Sequence, residues 1–303
     1  MRVFGWFRRA SSHQTSAPAA ASRWQWFGGR RMLAKGLYVM PKDRLEGERL
    51  DLQHHLLRLA LGRNYYPRLR QPRAILDIAC GTGIWGIEMA QEFRRTQVVG
   101  FDIDRTSFDS STQKRSLVGL PQNFRFFVHD ALQGLPFADG EFDFTHLRFV
   151  GSFVPRPRWP DLIADMYRVT RVGGYLEVVE LEDLSSPSPA YNQFKAVGKR
   201  LLEMRELHQF PAPFIAGYMQ QAGAQRVQAR RVVLGAGRDA ERQERLLIAD
   251  TIAIWTNLQP IILKVGLLSE ADYSRLLVQL KEELPRVGVQ MPVLFTYGLR
   301  LEG

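Results

Sequence analysis

Short apolar runs alternate with helical stretches along the middle of this 303-residue chain. The apolar runs, each of strand length, cover residues 73–79, 97–103, 124–130, 142–149 and 175–181. Helical periodicity follows or separates them at 84–94, 106–116, 159–170 and 189–207. Strands that alternate with helices through short connections form parallel, doubly wound sheets. The pattern therefore predicts an α/β fold.

Further elements flank this alternation on both sides. Leucines recur at helical spacing in DRLEGERLDLQHHLLRLALG, residues 43–62, and Gly62 is a typical helix stop. Strands predicted at 225–234 and 292–301 bring the mostly parallel sheet to seven strands, with helices at 212–222, 240–257 and 269–284. We expect a single domain over 26–303, made of a helical extension (26–72), a core (73–183), a helical lid (184–224) and a C-terminal part (225–303).

Positive charge is concentrated at the N-terminus. The net charge is +10, but eight of the 41 Lys and Arg residues precede Asp43, the first acidic residue. This leaves 33 basic residues against 31 acidic ones in the rest of the chain. Because a groove that follows a phosphate backbone needs excess positive charge, we predict no nucleic-acid partner.

Residues 1–25 contain Ser, Ala and Arg but no acid, a composition that predicts a flexible basic arm. A mitochondrial transit peptide has a similar composition and is the alternative interpretation. The apolar cluster of Trp24, Trp26 and Phe27 that follows is predicted to dock on the main domain.

No apolar run approaches the roughly 18–20 residues that span a bilayer, so we predict no membrane span. A single cysteine, Cys80, excludes an internal disulfide and a cysteine-based metal cluster. These features are typical of a cytoplasmic protein. They leave a homo-oligomer open.

The segment LDIACGTGIWGIEMA, residues 76–90, contains Gly81, Gly83 and Gly86 in the spacing G-x-G-x-x-G. Such a turn between a strand and a helix brings the backbone close to a ligand and aims N–H groups at it. Asp102, about 20 residues later, could hold a ribose diol. This spacing suits a nicotinamide or flavin dinucleotide and S-adenosylmethionine equally.

Three aspartates are predicted at the same edge of the sheet, because Asp77, Asp102 and Asp130 lie at the ends of three successive strands. These carboxylates would repel a pyrophosphate. S-adenosylmethionine instead offers a positive ammonium, a positive sulfonium and several hydrogen-bond donors. Its one carboxylate would fit the helix N-terminus after Gly83. The acids therefore favour S-adenosylmethionine as the cofactor.

Four segments resemble successive motifs of the class I, Rossmann-like methyltransferases: ILDIACGTGIWGIEMA, VVGFDID, HDALQGLPFADGEFDFTHLRF and MYRVTRVGGYLEVVE. The upstream YVMPKDRLEGERLDLQHHL resembles the branch common in fungal and bacterial secondary metabolism, which is similar to trans-aconitate methyltransferases. The resemblance covers residues 29–183, and residues 184–303 match only in outline.

The resemblance implies specific roles for the glycine loop. Asp77 would hold the methionine ammonium, directly or through water. Gly81 and Gly83 would allow close backbone approach, and Thr82 would line the same loop. Ala79 occupies the position where the family usually has its first glycine, and its small side chain should still permit binding.

The resemblance also implies an adenosine site. Asp102 would bind the ribose hydroxyls and Ile103 would pack on the adenine. Asp130 would accept a hydrogen bond from the adenine amino group, and Ala131 would donate its backbone N–H. For each aspartate the structural alternative is a helix cap or a turn former.

Two candidate catalytic residues lie in FDFTHLRF, where the two-residue period places His146 and Arg148 on one face of the strand. His146 could serve as a general base or could be a buried histidine that supports the cofactor loop. Arg148 could bind an acidic group of the substrate or could pair with a nearby carboxylate.

Glu180 is the third catalytic candidate, since it lies nearer the carboxyl end of its strand than Glu177. It could orient a substrate hydroxyl, accept a proton or stabilise a developing cation. Its structural alternative is to cap the segment that follows the strand. His54 and His55 are adjacent on a predicted helix and point in different directions, so we predict no metal site there.

The predicted lid carries aromatic and Met side chains that could line an apolar acceptor site or pack the lid onto the sheet: Tyr191, Phe194, Met204, Phe210 and Phe214. The preferred hypothesis is a methyltransferase that acts on a small organic acceptor at O, N or C. An anionic acceptor would be a carboxylate or a prenyl diphosphate methylated at carbon, and only the diphosphate would require Mg²⁺.

Three rival functions remain open. The resemblance to fungal regulators allows a non-catalytic protein that binds the cofactor and acts through a protein partner. A nicotinamide oxidoreductase is disfavoured by Asp77 and Asp130. A nucleic-acid methyltransferase is disfavoured by the balanced charge of residues 43–303 and by the absence of an Asn/Asp-Pro-Pro-Tyr/Phe motif.

Overall fold

The computed structural model describes residues 24–33, 39–114, 119–235 and 240–302. Its strands are β1 (Trp24–Phe27), β2 (Arg30–Leu33), β3 (Ala74–Ile78), β4 (Gln97–Asp102), β5 (Phe124–Val128), β6 (Phe142–Arg148), β7 (Thr170–Leu181), β8 (Gln225–Leu234) and β9 (Met291–Leu299). Its α-helices are α1 (Arg44–Leu61), α2 (Ile84–Glu92), α3 (Thr106–Lys114), α4 (Trp159–Val169), α5 (Pro189–Glu203), α6 (Ala212–Gln221), α7 (Ala240–Lys264) and α8 (Glu270–Val287).

Seven strands form one sheet in the order β5-β4-β3-β6-β7-β9-β8. The strands from β5 to β7 pair in parallel, whereas β9 is antiparallel to both of its neighbours, β7 and β8. This arrangement confirms the predicted mostly parallel, doubly wound α/β sheet. The strand order reverses between β3 and β6, and ligands bind beyond the carboxyl ends of the strands at such a point.

Helix α1 begins and ends where the sequence predicts. Asp43 caps its N-terminus by accepting a hydrogen bond from the Glu46 N–H, and Gly62 ends it in the left-handed region at φ 66°. Its buried face carries Leu56 and Leu57, as the leucine spacing indicates. It also buries polar residues, and these bring α1 into the site described below.

Residues 24–33 form a β-hairpin that the sequence analysis did not predict. Strands β1 and β2 pair through Gly28 and Gly29, whose φ angles are +50° and +72°. A Gly-Gly pair supports the tight hairpin turn that needs two positive φ angles, so this was a readable signal. Phe27 packs on the core, but Trp26 is 68% exposed, so the predicted docking holds for only part of the cluster. Of the predicted arm, residues 24 and 25 belong to β1 and residues 1–23 lie outside the described residues.

Two element boundaries also differ from prediction. Strand β7 begins at Thr170 rather than at residue 175, because Thr170 pairs with Phe142 across a register shift near Gly173 and Gly174. Helix α7 continues to Lys264 through Pro260, although proline usually ends a helix.

Helix α7 is the one helix, among those described, with the length and apolar composition of a bilayer-spanning segment. Half of that apolar stretch is buried, and Leu247, Leu258 and Ile262 belong to the core shared with α5, α8 and β9. The helix is therefore explained as a core helix, and it does not indicate a membrane span.

Candidate active site

A cavity of about 250 Å³ lies beyond the carboxyl ends of β3 and β6, beneath α1, α5 and α7. One part, here called the loop end, is lined by the turn after β3 and the end of β4: Ala79, Cys80, Gly81, Thr82, Ile84 and Asp102. The other part, here called the apolar end, is lined from α5, α7 and the segments after β6 and α5: Phe149, Phe153, Tyr191, Leu202, Phe210 and Trp255. The switch point of the sheet thus opens into one continuous space.

The glycine loop is held in left-handed backbone conformations. Ala79, Gly81 and Gly83 have φ angles of +53°, +58° and +72°. Glycine adopts this region freely, whereas alanine there costs roughly 1–2 kcal/mol. Ala79 therefore departs from the resemblance at a strained position, although its side chain still lines the cavity. Helix α2 starts directly after Gly83 with no side-chain cap.

Asp102 has partners on both of its oxygens. Oδ2 accepts a hydrogen bond from the Gly81 N–H at 3.0 Å, and Oδ1 lies 3.1 Å from Nζ of Lys42. The Lys42 side chain is only 2% exposed, so this is a buried ion pair at the loop end. Lys42 was not among the predicted site residues. The available signal was a lysine between the apolar residues 39–41 and Asp43, the N-cap of α1.

A buried polar row crosses three neighbouring strands below the cavity. Asp77, His146 and Glu177 occupy matching register positions on β3, β6 and β7. Nδ1 of His146 lies 3.4 Å from Oδ1 of Asp77, and its Nε2 lies 3.9 Å from Oε2 of Glu177. The imidazole stacks on Trp85 with ring centroids 3.8 Å apart. Burial lowers the pKa of His146 and raises that of Glu177 to about 8.

His146 is 1% exposed and is not among the residues that line the cavity. This placement matches the supporting alternative, in which His146 holds Asp77, and gives no contact for a general base. Asp77 also lies under the cavity rather than on its wall, with its Oδ2 unpartnered among the described residues.

Glu180 is likewise displaced from the predicted active-site position. Its Oε1 accepts hydrogen bonds from the backbone N–H groups of Val150 and Gly151, at 2.7 and 3.0 Å. Burial raises its pKa to about 8. Glu180 is not among the residues that line the cavity. Its position is that of the structural alternative, which caps the segment after β6 and so shapes the cavity wall.

Arg148 does line the cavity, and its Nη2 donates a hydrogen bond to Nδ1 of His54 at 3.3 Å. The other nitrogen of His54, Nε2, lies 3.1 Å from Oε1 of Glu88. Arg58 and Asn64 hold the second oxygen of Glu88. The ligand atoms of His54, His55 and Glu88 lie within 4.8 Å of one another. Because Arg148 can only donate, the neutral His54 ring carries its proton on Nε2, and this disfavours a metal ion at that nitrogen.

A buried ionic network joins α1 to α7 along the cavity wall. Arg49 forms two hydrogen bonds to Glu46, at 2.7 and 2.9 Å, and one to Asp250 at 2.9 Å. Asn257 donates to Glu46 and Gln53 donates to Asp250. This network was not predicted from the sequence. The pattern that could have indicated it is a row of polar residues at helical spacing on α1.

Of the predicted adenosine-site residues, Asp102 lines this cavity, whereas Ile103, Asp130 and Ala131 are not among its lining residues. Asp130 caps a short 3₁₀ turn by accepting from the Leu132 N–H, and Ala131 lines a separate depression next to Arg158. They remain at the correct edge of the sheet, since the His129 N–H donates to the Asp102 carbonyl. Ile103 follows directly after β4 and does not line the cavity. The adenine contacts therefore stay predictions.

The aromatic and Met residues of the predicted lid fall into three groups. Tyr191 and Phe210 line the cavity. Phe194 is fully buried and stacks on Trp255, with ring centroids 4.9 Å apart. Met204 and Phe214 are 63% and 48% exposed. Only the first group can contact an acceptor.

Comparison with known proteins shows similarity to methyltransferases and to fungal regulators. A family described as "Methyltransferase domain" matches residues 75–174. The secondary metabolism regulator LAE1 of Cochliobolus heterostrophus is 32% identical over 52% of this chain and 49% of its own length. The methyltransferase pytC of Aspergillus terreus is 28% identical over 74% of this chain and 69% of its own.

A solved structure of phosphoethanolamine N-methyltransferase 2 of Haemonchus contortus, in complex with S-adenosyl-L-methionine, has the same fold. The identity is 16% and the TM-score 0.50, covering 83% of this chain and 53% of that one. Residues 75–174 therefore match a methyltransferase domain, and this match with the methyltransferase-named relatives confirms the resemblance to class I, S-adenosylmethionine-dependent methyltransferases seen in the motifs. The matched region of this chain spans about half the length of two regulators, 49% of LAE1 and 47% of the secondary metabolism regulator laeA of Aspergillus flavus.

Proposed function

We propose that this protein transfers a methyl group from S-adenosylmethionine to a small, mainly apolar organic acceptor. The observation that carries the proposal is the continuity of the loop end with the apolar end in one cavity. A cofactor bound at the loop end would direct its methyl group toward an acceptor among the side chains of α5 and α7. In-line transfer requires alignment and exclusion of water, both of which an enclosed apolar space supplies.

The residues at the loop end suit this cofactor. A carboxylate can accept about four hydrogen bonds, so Asp102 keeps capacity for a ribose hydroxyl beside its contacts to Lys42, Gly81 and the Asp104 N–H. The uncapped start of α2 adds partial positive charge and free N–H groups at the loop end. We propose that Asp77, held by His146, contributes negative potential beneath the cationic part of the cofactor.

We propose that the transfer needs no protein base. The carboxylates that line the cavity are Glu46 and Asp102, and cations already hold both. Burial raises the pKa of the Cys80 thiol well above its ordinary value and also raises that of Tyr191. The chain's own residues would therefore bind, align and desolvate the acceptor rather than deprotonate it.

An anionic acceptor is the finer alternative. Lys195 is the basic residue of α5 on the cavity wall, but it already pairs with Asp183. A single carboxylate could compete for it. A prenyl diphosphate would need several cations or Mg²⁺, and the ion-paired state of Glu46 and Asp102 disfavours a magnesium site.

The test is a calorimetric titration with S-adenosylhomocysteine and, separately, with NADH. Binding of the first alone is expected. Binding of NADH alone would contradict the proposal and restore the oxidoreductase alternative. Incubation with labelled S-adenosylmethionine and a panel of apolar alcohols, phenols and acids then measures transfer.

A second candidate function is regulation through a protein partner, which the similarity to LAE1 favours. It predicts cofactor binding without transfer to any compound of the panel. A partner that restores transfer would instead indicate an enzyme that works in a complex.

A further inference from the structure

We propose that Arg148 binds the α-carboxylate of the amino-acid part of S-adenosylmethionine, and that His54 is a positioning residue that aims the Arg148 guanidinium. The assignment rests on the proposed function, because it places an anion subsite within the same cavity. It differs from the sequence expectation, in which Arg148 serves the substrate or a structural ion pair.

The position of Arg148 favours the cofactor over the acceptor. Leu147 pairs with Ile78 in the parallel register, so Arg148 follows on β6 where Ala79 follows on β3. Helix α1 covers the same loop, and a Cβ added to Gly81 would lie 3.2 Å from Cδ1 of Leu50. His54 is the next turn of α1 after Leu50. The guanidinium therefore contacts α1, the helix that covers the glycine loop.

Arg148 also differs from the other basic residues near the loop end in its ion pairing. Lys42 is neutralised by Asp102, and Arg49 by Glu46 and Asp250. Among the described residues, Arg148 has no carboxylate within ion-pair distance, although Asp77, Glu88 and Glu177 lie near enough to favour its charged form, and its one hydrogen bond goes to His54. A partly buried guanidinium without a counter-ion is costly, and a carboxylate bound by it in the bidentate manner removes that cost.

The cofactor carboxylate needs such a cation. Asp77 and Asp102 attract the ammonium and ribose groups of S-adenosylmethionine, but they repel its carboxylate. The N–H groups of α2 provide only partial positive charge. A full positive charge beside Ala79 would separate the two ends of the amino-acid group, with its ammonium toward the aspartates and its carboxylate toward Arg148.

His54 can orient Arg148 without cancelling its charge. The imidazole is fully buried, and burial lowers its pKa to about 4, so the ring is neutral near pH 7. Its Nδ1 lone pair accepts from Arg148, while its Nε2 faces Glu88. An aspartate in this position would orient the guanidinium equally well but would neutralise it. A neutral hydrogen-bond acceptor such as His54 therefore orients Arg148 and leaves its positive charge available to a bound carboxylate.

The test compares two ligands by calorimetry: S-adenosylhomocysteine, and 5′-methylthioadenosine, which lacks the amino-acid group. Because Arg148→Gln removes the charge-assisted hydrogen bonds to the carboxylate, it should weaken the binding of S-adenosylhomocysteine about 10- to 100-fold and leave the binding of 5′-methylthioadenosine unchanged. The quantity compared is the affinity for S-adenosylhomocysteine divided by the affinity for 5′-methylthioadenosine. His54→Leu should lower this ratio about 3- to 10-fold, because the guanidinium loses the acceptor that orients it. His54→Asn, whose side-chain oxygen can replace Nδ1, should restore most of the ratio. Arg44→Gln, an exposed residue of the same helix, is the matched control.

Several results would overturn the assignment. An unchanged ratio in Arg148→Gln would place the carboxylate at the N-terminus of α2. Equal loss of both ligands in Arg148→Gln, with normal folding by circular dichroism, would make Arg148 a structural residue. Failure of His54→Asn to exceed His54→Leu would remove the positioning role. If the wild-type protein binds neither ligand, the proposed function itself fails, and that result is distinct from the others.

Discussion

The two ends of the cavity satisfy their polar groups in different ways. At the loop end, backbone N–H groups and buried charges bind one another: Gly81 and Lys42 hold Asp102. At the apolar end, aromatic and aliphatic side chains from α5, α7 and the segment after β6 surround the space. The loop end therefore depends on local backbone geometry and charge. The apolar end depends on how segments distant in the sequence pack together.

The largest effect is expected where the two ends share a wall. Arg49→Met removes the cation that holds Glu46 and Asp250, and this leaves two buried carboxylates without their partner. Breaking such a network should lower the free energy of unfolding by about 3–5 kcal/mol. Urea denaturation measures the change. Arg44→Met, which breaks the exposed pair with Glu48, should cost less than about 1 kcal/mol, and equal losses would contradict the buried network.

The next effect should be confined to the loop end. Asp102→Asn removes the charge that we assign to the ribose and weakens the contact with Lys42. We expect S-adenosylhomocysteine to bind about 10- to 100-fold more weakly, measured by calorimetry. Phe210→Ala at the apolar end should leave that affinity within about twofold. A comparable loss in Phe210→Ala would show that the two ends are not independent.

A smaller effect concerns the wall of the apolar end, which Glu180 holds through Val150 and Gly151. The pKa of Glu180 is raised from 4.5 to about 8, so between these values the folded protein binds a proton that the unfolded chain does not. Its contribution is therefore complete below pH 4.5 and is lost as the pH rises through about 8.

Glu180→Gln mimics the protonated form and should remove this pH dependence. The variant should match the wild type near pH 4.5 and exceed its free energy of unfolding by an amount that grows from pH 4.5 to about 8 and is then constant. Glu177, whose pKa is shifted in the same direction, remains in both proteins and cancels in the difference. A difference that does not vary with pH would show that Glu180 is ionised throughout.

The smallest effect tests the backbone strain of the loop end. Ala79→Gly should raise the free energy of unfolding by up to about 1 kcal/mol, because glycine adopts a φ of +53° without the steric cost of a Cβ. Ala90→Gly, in the interior of α2, should instead lower it by about 1 kcal/mol. Thermal denaturation of both variants gives the comparison. A loss in Ala79→Gly would mean that the lost side-chain contacts outweigh the strain.

The catalytic candidates show why sequence patterns could not complete the site. The two-residue period correctly placed His146 and Arg148 on one face of β6. It could not show that His146 packs against Trp85 and lies near Glu177, because those residues come from α2 and β7. It also could not show that Arg148 lines the cavity. Glu180 was correctly placed near the strand end, but only the course of residues 150–151 decides that its carboxylate faces the backbone.

By itself, the sequence determined the order of strands and helices, the glycine loop and the aspartates at the edge of the sheet. These follow from periodicity and backbone preference, which act between residues close together in the chain. The tertiary structure decides which charges are paired, which carboxylates do not line the cavity, and that Arg148 lines it without an ion-pair partner among the described residues. Those outcomes depend on burial and on contacts such as Arg49 with Asp250, 201 residues apart, and local patterns contain no information about such distances.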